Sequence, residues 1–297
     1  MAACWSRENA PRDVTVGVVT GVGRALGAAC ARQLVDHVDT LLLTDPDPHA
    51  AMAAARELVE DADVAAEPFT LDLADDDGLA RLTERITELG TLRGVAHADF
   101  RSPSLADSRQ ILGELVAAAR LTEALRPLAD NGTAMVVLAA MGPLLDPNAP
   151  DPAALAILDD PLNPEFPDRI RELLGPVLDE PARAHTWISR GVHRLVRRES
   201  VRLGAVGARI CSVTPGIIDT PLIQLEAAEY PGIDRIVQRT PLRRKGYAEE
   251  VAAVVAFALS EQASFLNGTD LLVDGGACAA AAVGEPNGAG RAQVLAS

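Results

Sequence analysis

The first residues able to hold a ligand form one short run, Thr20-Gly21-Val22-Gly23-Arg24-Ala25-Leu26-Gly27, directly after an apolar segment. Glycines in such a turn let the backbone approach a pyrophosphate, and a helix starting there aims its N–H groups and dipole at that anion. Asp45 closes the next apolar segment. A carboxylate at that point accepts hydrogen bonds from an adenosine ribose and repels a 2′-phosphate, which favours NAD. Arg24 argues the other way, because a guanidinium in the turn can pair with that phosphate. NAD is therefore the expected nucleotide and NADP the lesser candidate. The bland alternative for Asp45 is a plain turn acid in the run Asp45-Pro46-Asp47-Pro48.

Other chemistry is thinly supplied. His37, His49, His97, His185 and His193 show no metal-ligand spacing, so no metal is expected. Cys4, Cys30, Cys211 and Cys278 form no Cys-x-x-Cys pair and read as incidental thiols in a reducing cytoplasm. Lys245 is the only lysine, and Tyr230 and Tyr247 are the only tyrosines. A net charge of −15 repels nucleic-acid phosphates, so no nucleic-acid partner is expected. No apolar run is long enough to span a bilayer, and residues 1–13 lack the apolar core of a signal peptide.

The elements that must position the glycine turn follow from the hydrophobic pattern. Aromatics are 3% of the chain against 48% hydrophobic residues overall, so the core is built from Ala, Val, Leu and Ile. Short continuous apolar runs at 14–20, 40–44, 64–71, 92–98, 133–140, 208–214 and 270–273 read as buried parallel strands. Helical spacing fills the gaps at 24–35, 49–60, 76–89, 108–128, 184–203 and 248–260. This alternation predicts a Rossmann-type α/β fold, a doubly wound parallel sheet of about seven strands in a single domain over 14–276. Residues 142–182 are rich in Pro and Asp and read as an insertion with a short helix at 167–174; 217–245 reads as a lobe over the substrate. Residues 1–13 and 277–297 are expected to be loose tails.

Several segments, in order, resemble one family. Thr20-Gly21-x-x-x-Ala25-x-Gly27 is similar to the T-G-x-x-x-G-x-G turn of short-chain dehydrogenases/reductases, with Ala25 at the middle glycine. Asp72-Leu73 resembles the pair that holds the adenine in that family. Ser212-Val213-Thr214-Pro215-Gly216-Ile217-Ile218-Asp219-Thr220 resembles the segment flanking the nicotinamide. Residues 267–276 look like the family's last strand, and the insertion resembles a bacterial subgroup with an extended loop. The resemblance implies a nucleotide site built from Thr20, Gly21, Gly23, Arg24, Leu26, Gly27, Asp45, Asp72, Leu73, Ala96, His97, Pro215, Gly216, Ile218 and Thr220. It also implies a small-molecule substrate and a homodimer or homotetramer.

The same resemblance implies a Tyr-x-x-x-Lys pair, a Ser and an Asn, which this chain does not supply at those places. Counting back from Pro215, and matching Arg190-Gly191-Val192 to the extended-loop subgroup, puts His185 at the Tyr position and Ser189 at the Lys position; a slip of one residue would put Thr186 and Arg190 there. The Ser position falls on Ala140 and the Asn position near Glu114. The family's N-N-A-G element becomes Ala96-His97-Ala98-Asp99-Phe100, whose phenyl ring adds bulk near the nucleotide. His185, oriented by Glu114, is the expected acid/base, with Ser189 beside it; His97 and Asp99 are further polar candidates at the cleft. Three functions stay open: an oxidoreductase with a changed proton donor, a non-redox enzyme such as a cyclase, dehydratase or isomerase whose nucleotide is structural or lost, and a non-catalytic nucleotide-binding subunit.

Overall fold

A computed structural model of the chain describes residues 14–61, 65–99, 108–221, 223–225 and 232–283. Seven strands form one sheet: β1 Thr15–Thr20, β2 Thr40–Asp45, β3 Ala65–Thr70, β4 Thr91–His97, β5 Ala134–Leu138, β6 Arg209–Pro215 and β7 Asp270–Val273. Their order is β3-β2-β1-β4-β5-β6-β7, and every pair is parallel. The expected doubly wound sheet is therefore present. β2 and β5 are buried along their whole length, which is why they read as unbroken apolar runs. Pro68 sits in β3, an edge strand, where a missing ladder donor is tolerated.

Helices cover both faces. On one side lie α1 Ala25–Leu34, α2 Pro48–Asp61 and a long apolar helix, Ala248–Leu259; on the other lie α3 Asp76–Leu89, α4 Ser108–Leu125 and a helix over Pro181–Gly204. The chain order reverses between β1 and β4, and their last residues, Thr20 and His97, stand side by side. Doubly wound folds bind ligands in the crevice beyond such a reversal.

The 142–182 insertion holds more order than expected. It contains α5 Gly142–Leu145, α6 Pro152–Leu158 and α7 Phe166–Leu174, leading into α8 Pro181–Gly204. Asp151 starts α6 by accepting the Ala153 N–H on its carboxylate, with Pro152 at the first helical position. Phe166 and Ile170 of α7 are fully buried and anchor the insertion to the core. After β6 come α9 Gly232–Arg239 and α10 Ala248–Leu259. The reading of 277–297 as a loose tail is corrected at its start. Ala277–Val283 form α11, whose Cys278 packs with Met141 and Leu145. Residues 1–13 and 284–297 lie outside the described residues.

Candidate active site

The glycine turn is held by contacts only glycine permits. A Cβ on Gly27 would lie 2.1 Å from the Gly21 carbonyl oxygen, and one on Gly21 would lie 2.8 Å from Asp99 Cα. Gly21 also has φ +70°, a conformation natural to glycine. The Gly21 N–H donates to the Thr44 carbonyl, tying the turn to β2. Asp45 is buried, and its carboxylate accepts the Gly23 N–H at 2.9 Å and the Asp47 N–H at 3.0 Å. It thus holds two turns in place while standing where an adenosine ribose is met in this fold class.

α1 opens with Arg24 as its N-cap, and no side chain caps it; its first turn carries no acid. An uncapped helix start behind a glycine turn suits an anion such as a pyrophosphate. A nicotinamide dinucleotide therefore fits the residues present. Leu26 and Ala25 pack against the core behind the turn. Asp72 is exposed and accepts the Ala74 N–H, while Leu73 is buried in the core.

At the crevice floor, the Thr20 hydroxyl and His97 Nδ1 are 2.7 Å apart, and the Ala98 N–H donates to Thr20 Oγ1. Burial pushes the His97 imidazole below its ordinary range, more than the nearby Asp99 raises it. Ala96 is buried in β4. Asp99 pairs with Arg24, Oδ1 to Nε, at 3.3 Å. Phe100 lies outside the described residues.

On the opposite side of the crevice, Pro215 ends β6 and the Gly216 N–H donates to the Val273 carbonyl. A Cβ on Gly216 would lie 2.7 Å from Asp274 Cα, so this turn too needs glycine. Ile218 and Thr220 are buried just beyond it, and the Thr220 hydroxyl accepts the Ile223 N–H.

The catalytic candidates come together on α8 and α4. Gly191 lets the two helices pack closely: a Cβ there would lie 2.4 Å from a Leu115 methyl. That approach brings His185 Nε2 to 3.4 Å from Glu114 Oε2, with both side chains buried. Ser189, one turn on, is 1% exposed, and among the described residues its hydroxyl has no hydrogen-bond partner. An orphaned buried hydroxyl costs about 1–3 kcal/mol, a cost removed when a ligand supplies the partner.

The register slipped by one residue fares differently. The Thr186 hydroxyl donates to the Ala182 carbonyl, and Arg190 pairs with Asp146 at 2.8 Å over the Trp187 ring. Those side chains are engaged elsewhere. Ala140 follows β5 beside Ala139, so neither residue there offers a hydroxyl. Lys245 lies 3.6 Å from Asp219, and the Tyr247 ring is exposed under Arg244. Tyr230 is outside the described residues. Among the described residues no group of His, Cys, Asp and Glu could hold a metal, and no helix is long and apolar enough to cross a membrane.

One polar cluster escaped the sequence reading. His193 on α8 lies 3.2 Å from the Thr214 hydroxyl and 3.5 Å from Asp270, and Asp270 accepts hydrogen bonds from Ser212 and Thr214. Burial raises the Asp270 carboxyl, but His193 and the two hydroxyls outweigh it and hold it below the ordinary range. Its members come from three elements distant in sequence, so no spacing signals it.

The chain is 31% identical over 263 residues to cis-4-hydroxycyclohexanecarboxylate dehydrogenase of Sinomonas cyclohexanicum, covering 88% of this chain and 95% of that one. This chain belongs to the short-chain dehydrogenase/reductase family. A family model described as enoyl-(acyl carrier protein) reductase matches residues 182–278. Cyclohexanol dehydrogenase of Acinetobacter sp. (strain SE19) is 45% identical over 86 residues, 29% of this chain and 32% of that one. The 3-alpha-hydroxysteroid dehydrogenase from Pseudomonas sp. B-0831, solved with NADH, superposes with a TM-score of 0.66 at 24% identity, covering 88% of this chain and 95% of that one. At that identity the likeness speaks for the fold.

Proposed function

We propose that this short-chain dehydrogenase/reductase uses NAD(H), in preference to NADP(H), to interconvert a small cyclic secondary alcohol and its ketone. In it His185 handles the proton in place of a Tyr-x-x-x-Lys pair. The observation that carries this reading is the buried 3.4 Å contact between His185 and Glu114. The dinucleotide, when bound, supplies the hydride acceptor or donor. His185 takes the hydroxyl proton as the alcohol is oxidised and returns it to the alkoxide in reduction. An imidazole can do this near neutral pH with no neighbouring ammonium. Glu114 orients the ring and offsets the positive charge that proton uptake creates, as an acid does behind a catalytic histidine. Ser189 offers its hydroxyl, unpartnered among the described residues, to the nicotinamide ribose.

No hydroxyl stands at position 140 to hold the carbonyl oxygen, which lowers the rate by on the order of 10²–10³ unless another donor serves. The insertion at 142–182 and the lobe at 217–245 are the segments proposed to enclose the substrate. The cyclic alcohol follows from the activities named for two relatives. We place the protein's single domain at 14–283 and its working state as a homodimer or homotetramer in the cytoplasm; sedimentation reads the oligomeric state.

The test is NADH absorbance with cyclohexanol, 4-hydroxycyclohexanecarboxylate and their ketones. Turnover with NAD(H) that falls in His185→Ala supports the reading. Product formed from these compounds with no change in NADH would favour a non-redox enzyme. Dinucleotide binding with no turnover of any cyclic alcohol would favour a non-catalytic subunit.

A further inference from the structure

Arg24 is the guanidinium of the glycine turn, and it is not idle. Its Nε faces Asp99 Oδ1 at 3.3 Å, with Asp99 17% and Arg24 37% exposed. Asp99 comes from the far side of the crevice, two residues after β4, and its backbone presses on Gly21. The carboxylate is thus fixed by the fold of the turn itself. Burial disfavours the charged form of the adjacent His97, and Arg24 is the cation paired with Asp99 among the described residues. Across the turn, Asp45 is locked in place by the Gly23 and Asp47 N–H groups. Among the described residues, the turn is thus flanked by the Asp45 and Asp99 carboxylates and by the Arg24 guanidinium, which Asp99 already pairs.

A free guanidinium in this position would bind a phosphate through charge-assisted hydrogen bonds. We infer that Asp99 is a specificity-determining residue: it stands in for the 2′-phosphate, occupies Arg24, and turns the nucleotide site toward the dinucleotide that lacks that phosphate. A 2′-phosphate must displace Asp99 from Arg24 and lie near Asp45 as well, whereas a 2′-hydroxyl meets neither cost. Specificity of this kind is built by repulsion as much as by attraction. The inference rests on the dinucleotide-binding part of the proposed function and not on its proton chemistry.

The experiment is calorimetric titration of the full-length protein with NAD and NADP. In Asp99→Asn the affinity for NADP rises by about tenfold while that for NAD moves by less than about threefold. Asp99→Glu, which keeps the charge, keeps the wild-type preference. Arg24→Gln leaves wild-type NADP affinity nearly unchanged, but in the Asp99→Asn background it cancels the gain. An Asp99→Asn protein that melts like wild type with an unmoved NADP-to-NAD ratio overturns the proposal. So does Arg24→Gln if it alone weakens NADP by about tenfold, since the guanidinium would then be free already. That second comparison decides the matter even if Asp99→Asn fails to fold. Wild-type protein that binds neither dinucleotide overturns this proposal and the functional reading together; binding of both with an unmoved ratio overturns the proposal alone.

Discussion

The glycine turn after β1 and the start of α8 keep the family's pattern to different degrees. At the turn the demand is steric and falls on the backbone. Gly27 has another carbonyl oxygen where a Cβ would go, and Gly21 has the Asp99 backbone. At α8 the demand falls on side chains, and the resemblance implies His185, Ser189 and Glu114 at the places of the family's tyrosine, lysine and asparagine. A backbone constraint admits one residue type, whereas proton transfer can be served by several side chains. On the proposed function, one site keeps its binding geometry while its chemistry is replaced.

The comparison breaks most visibly at Gly27. Gly27→Ala sets a methyl against the Gly21 carbonyl and must move the turn. The expected loss is about 2–3 kcal/mol of stability together with dinucleotide binding, read by thermal unfolding and calorimetry. A variant that binds NAD as wild type does would show that the turn is not the nucleotide cradle. Glu114→Gln probes the other end. It keeps the shape and removes the charge beside His185, so kcat should fall by about tenfold while NAD affinity stays put. An unchanged kcat would reduce Glu114 to packing.

Ser189→Ala sharpens the contrast further, because stability and binding should move in opposite senses. Removing a buried hydroxyl without a partner should stabilise the protein by about 1 kcal/mol, while NAD affinity weakens. Loss of stability would mean the hydroxyl already has a partner. The smallest effect is expected at His97, whose imidazole burial holds neutral in the folded chain. The unfolded chain takes up a proton near the ordinary value of about 6.5. Stability present above that pH is therefore lost as pH falls through it, by at most about 1.4 kcal/mol per unit. His97→Gln should flatten this slope in melts run from neutral to mildly acidic pH. An equal slope in the variant would assign it to other groups.

How much of this was legible in the chain depended on whether the signal was local. Asp76–Leu89 and Asp270–Val273 have the bounds their patterns predicted, since a capping Asp75 and a short apolar run are local features. The glycine turn was legible for the same reason. α6 was legible in principle through Asp151-Pro152, but the surrounding Pro and Asp residues masked it. α11 was missed because an alanine run shows no periodicity; its order comes from docking Cys278 against Met141 and Leu145, far away in sequence. The Arg24–Asp99 pair and the His193–Asp270 cluster join residues that only the finished sheet brings together. The His185–Glu114 contact was foreseen only because the family resemblance supplied a register.

The most direct measurement is a single turnover of NADH with excess cyclohexanone, comparing wild type with His185→Ala at saturating nucleotide. If His185 carries the proton, hydride transfer slows by on the order of 10²–10³ in the variant while its NADH affinity is unchanged. A variant that transfers hydride at the wild-type rate contradicts the account, because some other group would then protonate the alkoxide.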